Sequence, residues 1–168
     1  GSEAIKSLGN DYDYVFVSEQ VEFVSDFRHS LIEAIPIELK RDLLVFDLWI
    51  ENEDRTLTEK GGNPNLLWSE LVDKLYVIDH NLAFYNEFNL ESSWECHPFS
   101  RNFQLDIYKS ELEERLIKSL QNWSQWWNKI PVEWLEQNEE SGKFTFNEQQ
   151  TLDRLTEEAQ GGIWEKIK

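Results

Sequence analysis

A chain of 168 residues that is 40% hydrophobic and 14% aromatic has the length and composition of one globular core, not of a disordered polymer. Its formal net charge of -17, from 33 acidic side chains against 16 basic ones, repels phosphate backbones and anionic lipid, which argues against direct nucleic-acid or membrane-surface binding. The single cysteine, Cys96, allows no internal disulfide and fits a reducing cytoplasm, and no apolar run approaches the ~20 residues of a membrane span.

With 8 Trp, 10 Phe and no Met, the core must be built from large rigid rings. Gly9-Asn10-Asp11 reads as a turn, and "YDYVFVS" (Tyr12 to Ser18) has the aromatic and β-branched bias of a short strand. Val21, Val24, Phe27, Leu31 and Ile32 recur at helical spacing, which predicts a helix from Glu19 to Ala34 capped by Ser18 and ended by Pro36. A second helix, Ile37 to Glu51, is apolar around most of its circumference and belongs at the centre of the core. Asp47, a charge on that buried helix, then needs a partner, an Arg or a backbone group.

Asn52 to Gly62 reads as a loop, and "NLLW" followed by "KLYVIDH" predicts two short strands joined by a turn near Ser69 to Asp73. Glu87 to Asn102 has no clean period and reads as irregular. The longest helical signal is Leu105 to Ile130, with Leu105, Tyr108, Leu112, Leu116, Leu120, Trp123 and Trp127 near one stripe. Pro131 restarts the chain into a short helix, Val132 to Gln137, and a final helix spans Asn147 to Gln160 before a turn that carries Trp164. Trp123, Trp126, Trp127, Trp134 and Trp164 are predicted mainly as core. The expected fold is mainly α with one or two small β-hairpins, an α+β class.

Asp54 leaves the buried helix, Asn63 and Asn65 precede one strand, and Asp79 closes the next. If the two strands pair, these oxygens converge at one edge of the hairpin. Two carboxylates and an amide carbonyl are hard donors suited to Mg²⁺ held with nucleotide phosphates. Phosphoryl transfer needs one Asp to orient the attacking hydroxyl, and an Asn with a second Asp to hold the metal. Each residue also has a plainer reading. Asp54-Arg55 suits a solvated pair after a helix, Asn63-Pro64-Asn65 is a good turn on its own, and Gly61-Gly62 supplies loop flexibility. Cys96-His97 falls short of the four ligands of a zinc site.

The segments "FDLWIENEDR", "NPNLLW" and "LYVIDHNLAF" resemble, in order, the catalytic segment of the HipA-like kinases, bacterial serine/threonine kinases first known as toxins. They are loosely similar to catalytic loops of phosphatidylinositol-type kinases. The resemblance covers Val45 to Phe84, about a quarter of the chain, and "IPVEW" (Ile130 to Trp134) is assigned to the helical tail. It implies that Asp54 is the catalytic aspartate, and that Asn63, with Asn65 as the alternative, is the metal-binding amide. Asp79 is implied as the chelator of Mg²⁺ at the ATP phosphates, with His80 beside it in the cofactor site. Two departures stand out. "TEKGG" lengthens the loop between Asp54 and Asn63, and neither Lys6 nor Lys40 sits in a strand beside a phosphate-covering loop.

The resemblance therefore implies one domain, residues 1–168, equivalent to the C-terminal lobe of a kinase-like fold. Residues 45–84 would form the catalytic segment and residues 104–168 a helical tail, with the N-terminal lobe absent. It further implies Mg²⁺ and ATP as cofactors and a protein substrate, aminoacyl-tRNA synthetases being targets within the family. An N-lobe chain or an antitoxin would be the partner. The alternative is a catalytically silent kinase-like interaction module with an acidic, Trp-rich surface.

Overall fold

The computed structural model describes residues 20–84, 88–102, 108–131, 135 and 147–166. At its centre lies α1 (Ile37–Trp49), the second of the helices expected from the sequence. Pro36 precedes it, and the fixed φ and missing N–H of proline suit the start of a helix, where no backward hydrogen bond is needed. α1 separates two apolar clusters. On one side Leu44, Val45, Leu48 and Trp49 meet Leu112, Leu116, Leu155, Ile163 and Trp164 from the C-terminal helices. On the other, Leu43 joins Phe27, Ile32, Ile35, Leu57, Leu66, Trp68 and Phe99. A helix buried against two cores carries apolar side chains around most of its circumference, as its sequence shows.

The second cluster is backed by a three-stranded antiparallel sheet in the order β1 (Ser25–Asp26), β2 (Leu66–Ser69), β3 (Lys74–Val77). Leu66 pairs with Val77 and Ser69 with Lys74, so β2 and β3 form the expected hairpin, and β1 adds a third strand by pairing Ser25 with Trp68. Here the sequence expectation fails. From residue 20 onward the predicted Glu19–Ala34 helix is replaced by β1 and a 3-10 helix, His29–Ala34. Phe23 is left-handed (φ 57°) and the Phe27 N–H donates to the Leu66 carbonyl at 3.0 Å, so the backbone is committed to the sheet. Phe27 and Ile32 still enter the core. Their spacing marked burial correctly but not backbone conformation.

Two other segments differ for identifiable reasons. Within the Glu87–Asn102 stretch lie α2 (Leu90–Cys96) and a 3-10 turn, Ser100–Asn102. α2 has no fully buried residue, hence no apolar period, and is started by Asn89, whose side chain accepts the Ser92 N–H at 3.0 Å. The long helix resolves into α3 (Lys109–Leu120) and α4 (Trp123–Trp127), separated by a turn at Gln121–Asn122. Leu105, the strand Tyr12–Ser18 and most of the helix Val132–Gln137, Trp134 included, lie outside the described residues.

The final helix, α5 (Glu148–Glu157), is capped by Asn147 and passes through a π turn, Glu158–Gly162, into α6 (Ile163–Lys166). Trp164 is buried and its Nε1–H donates to Glu113 at 2.6 Å, whereas Trp126 is 57% exposed. The described residues thus form an α+β fold, helical apart from one small sheet. No helix among them is long and apolar enough to cross a membrane.

Candidate functional site

The exit of α1 carries the site. Asp47, 1% exposed, lies on α1, and its partner is Arg55, itself 1% exposed. Arg55 Nε donates to Asp47 Oδ2 at 2.5 Å and Nη2 reaches Oδ1 at 3.3 Å. The Arg anticipated for Asp47 is therefore present, and Arg55 is not the solvated residue that its setting after Asp54 suggested. Two further donors complete the carboxylate. Asn52 Nδ2 donates to Oδ1 at 2.9 Å, and His97 Nε2 lies 3.1 Å from Oδ2. Burial alone would raise the Asp47 pKa. The His97 hydrogen bond and the Arg55 charge outweigh it and hold the group below its ordinary 3.8.

Arg55 also reaches across to the next turn. Its Nη1 donates to the carbonyls of Pro64 and Asn65, each at 2.8 Å, and its Nη2 lies 3.1 Å from His80 Nε2. All five guanidinium N–H groups are thus used, which satisfies a fully buried cation. Because His80 Nε2 faces a donor, that nitrogen accepts and the ring is neutral. Burial, then the Arg55 charge, lower the His80 pKa against the opposing pull of Asp47 and Asp79.

The lengthened loop does not separate Asn63 from Asp54. Thr58 and Gly61 exchange both backbone hydrogen bonds at 3.0 Å, and the Thr56 N–H donates to the Asn63 carbonyl at 2.9 Å. The additional residues therefore fold out as a small β-turn. Gly62 is required where the two limbs cross, since a Cβ there would lie 2.4 Å from the Thr56 carbonyl oxygen. Asn63 Nδ2 then donates to Asp54 Oδ1 at 3.2 Å, and Asn65 Nδ2 donates to Asp54 Oδ2 at 2.8 Å. Asn65 sits in the left-handed region (φ 47°), which Asn tolerates better than most residues. Its amide also donates to the Asp54 carbonyl at 2.8 Å, and the Asn52 side chain accepts the Asp54 N–H at 3.4 Å.

Asp54, Asn63 and Asn65 thus form one hydrogen-bonded unit, with the amide nitrogens turned to the carboxylate and the amide oxygens left free of it. Asp79 arrives from β3. The Ile78 N–H donates to the Asn65 carbonyl at 3.0 Å, so Asp79 and His80 leave the sheet beside the Asn63–Asn65 turn. Asp79 is exposed, is left-handed (φ 49°), and accepts the Asn81 N–H on Oδ1 at 3.3 Å. Among the described residues no hydrogen bond joins Asp79 to Asp54, Asn63 or Asn65. A cleft of about 450 Å³ adjoins the turn, lined by Phe27, Arg28, Leu57, Asn63, Asn65 and Ile78 among others. A larger one of about 710 Å³, between α3 and the π turn, is lined by none of the predicted site residues.

The donor chemistry fits a hard divalent cation. Amide and carboxylate oxygens from Asn63, Asn65 and Asp79 suit Mg²⁺, which binds through one or two carboxylates together with substrate phosphates. Among the described residues no three His, Cys, Asp or Glu side chains form a metal cage. Cys96-His97 has another purpose, since His97 is one of the partners of Asp47. Sequence reasoning missed Asn52 and His97. The first lies two residues before Asp54, where an Asx turn could have been suspected. The second is 50 residues from Asp47, and no local signal points to it.

A family model described as HipA-like kinase matches residues 2–167. No curated protein and no solved structure matches the chain.

Proposed function

Because the chain belongs to the HipA-like kinase family, we propose that it transfers the γ-phosphoryl group of Mg-ATP to a serine or threonine hydroxyl of a protein, as the catalytic C-terminal lobe of a kinase-like fold. Asp54 orients the acceptor hydroxyl and takes its proton as the oxygen attacks phosphorus. The observation that carries this reading is the Asp54 carboxylate gripped between the Asn63 and Asn65 amides, at 3.2 and 2.8 Å. Each carboxylate oxygen has accepted one of these bonds and keeps a lone pair for the substrate. The amides thereby fix the direction in which that lone pair points, which is the positioning that phosphoryl transfer requires.

Asn63 and Asp79 hold the metal, with the Asn65 amide oxygen as the alternative ligand, and His80 completes the cofactor side. Magnesium, when bound, neutralises charge on the phosphate oxygens. The protein acceptor, an aminoacyl-tRNA synthetase by analogy within the family, and an N-lobe or antitoxin partner are part of the same proposal, as is a cytoplasmic setting. The test is transfer from γ-labelled ATP with magnesium. Asp54→Asn, which keeps the shape but not the base, lowers transfer by a factor on the order of 10² or more while nucleotide binding persists. Equal transfer by this variant contradicts the assignment.

A further inference from the structure

One side chain beneath the site has no part in any of these steps. His97 follows α2, in a segment that touches neither Asp54 nor Asp79 through a hydrogen bond, yet its side chain is only 4% exposed. Its Nδ1 accepts the Phe99 N–H at 3.1 Å, which places the ring proton on Nε2 and makes Nε2–H the donor to Asp47 Oδ2 at 3.1 Å. The edge of the ring is packed against Phe99, centroids 5.7 Å apart, and Phe99 against Phe27 at 6.0 Å. A buried ring with one nitrogen tied to backbone and a T-shaped contact to Phe99 is not free to turn to suit Asp47. Asp47 must suit the ring.

From Asp47 the path is short. The oxygen that accepts from His97 also accepts from Arg55 Nε, which sets the plane of the guanidinium. The other end of that rigid fork holds the Pro64 and Asn65 carbonyls on one nitrogen and His80 on the other. These contacts adjoin Asn63 on one turn and Asp79 on the other. We propose that His97 is a positioning residue: through Asp47 and Arg55 it sets the spacing between the Asn63–Asn65 turn and the Asp79–His80 turn. That those turns carry metal-binding oxygens rests on the phosphoryl-transfer reading. The hydrogen-bond path does not.

Amide hydrogen exchange on the whole chain tests it, comparing His97→Asn, whose shorter amide cannot span to Asp47, with His97→Gln, whose Nε2 can. The Ile78 amide bridges to the Asn65 carbonyl and reports the gap between the turns. The Tyr76 amide, on the residue paired with Leu67, reports the hairpin itself. In His97→Asn, Ile78 exchange accelerates on the order of 10-fold relative to Tyr76, the equivalent of one buried hydrogen bond, and His97→Gln restores it. The magnesium concentration that half-saturates nucleotide-dependent stabilisation rises roughly 10-fold in His97→Asn and not in His97→Gln.

Equal acceleration at both amides, or none at Ile78, overturns the proposal and leaves His97 as ordinary core. Should His97→Asn not fold, the same amide pair is read in Arg55→Lys, where selective exposure of Ile78 is expected and uniform exposure overturns the claim. A wild-type chain that shows no magnesium-dependent stabilisation removes the phosphoryl-transfer reading. The exchange result still decides the role of His97.

Discussion

Arg55 does at the residue scale what neither a lysine nor a hydrophobe can do. It ties an α1 carboxylate, two turn carbonyls and an imidazole with one planar group. Arg55→Lys therefore lowers stability by about 3 kcal/mol or more, read in urea unfolding, because Asp47 is left as a buried and poorly paired charge. A loss under about 1 kcal/mol would place Arg55 in solvent. The same network sets the acid limit of the fold. Burial keeps His97 below its ordinary 6.5 despite the Asp47 hydrogen bond, and the Arg55 charge acts in the same direction as burial. The unfolded chain therefore binds the proton more readily, and stability is full above pH 6.5 and falls as pH drops below it. His80 acts with the same sign, and the lowered Asp47 adds a further loss below its ordinary 3.8. The urea midpoint falls from pH 7.5 to 5.5, and falls less in His97→Gln. A flat profile contradicts the buried, neutral assignment. The sequence announced half of this. A charge on an apolar helix demanded a partner, but one partner eight residues away around a loop, and another 50 residues away, leave no spacing to read.

Elements were legible where the apolar pattern admits one backbone conformation. The β2–β3 hairpin and α1 match their patterns because two short apolar runs around a polar turn, and apolarity sustained over 13 residues, each have one structural explanation there. The stretch before Pro36 failed because a helical period and a short strand followed by a 3-10 turn bury the same Phe27 and Ile32. Tertiary pairing of Phe27 with Leu66 decided between them. The loop after Asp54 has the opposite lesson. Its extra length suggested a shifted register, yet the turn closed by Thr58 and Gly61 restores Asn63 to the Asp54 carboxylate. Gly62→Ala therefore disturbs the site without touching it, since its Cβ would collide with backbone, not with a side chain that could move. Such a substitution at φ +154° costs more than about 1 kcal/mol in the midpoint and exposes the Asn63 amide to exchange. A variant as stable as wild type would mean that the turn opens freely.

Across the whole molecule, α1 is the shared wall of both cores, so neither can be lost alone. Leu44, 0% exposed, faces the C-terminal helices, and Leu43 faces the sheet. Leu44→Ala costs roughly 2–5 kcal/mol and lowers protection in the β2–β3 hairpin together with α5. Loss confined to α5 would indicate two independent units. The C-terminal helices grip the end of α1 through Arg154 on Glu51 at 2.8 Å and Trp49 Nε1 on the Leu155 carbonyl at 2.8 Å. That grip holds Glu51 in its left-handed turn (φ 52°) and sends Asp54 toward the Asn63–Asn65 turn. The central claim is that this corner binds nucleotide phosphates through magnesium. Thermal unfolding of the whole chain with ATP, with and without magnesium, tests it most directly. At 100-fold excess over the dissociation constant, stabilisation of about 2.7 kcal/mol is expected only when both are present, and Asp79→Ala abolishes it. A chain indifferent to magnesium and nucleotide, or an Asp79→Ala variant that responds as wild type does, contradicts it.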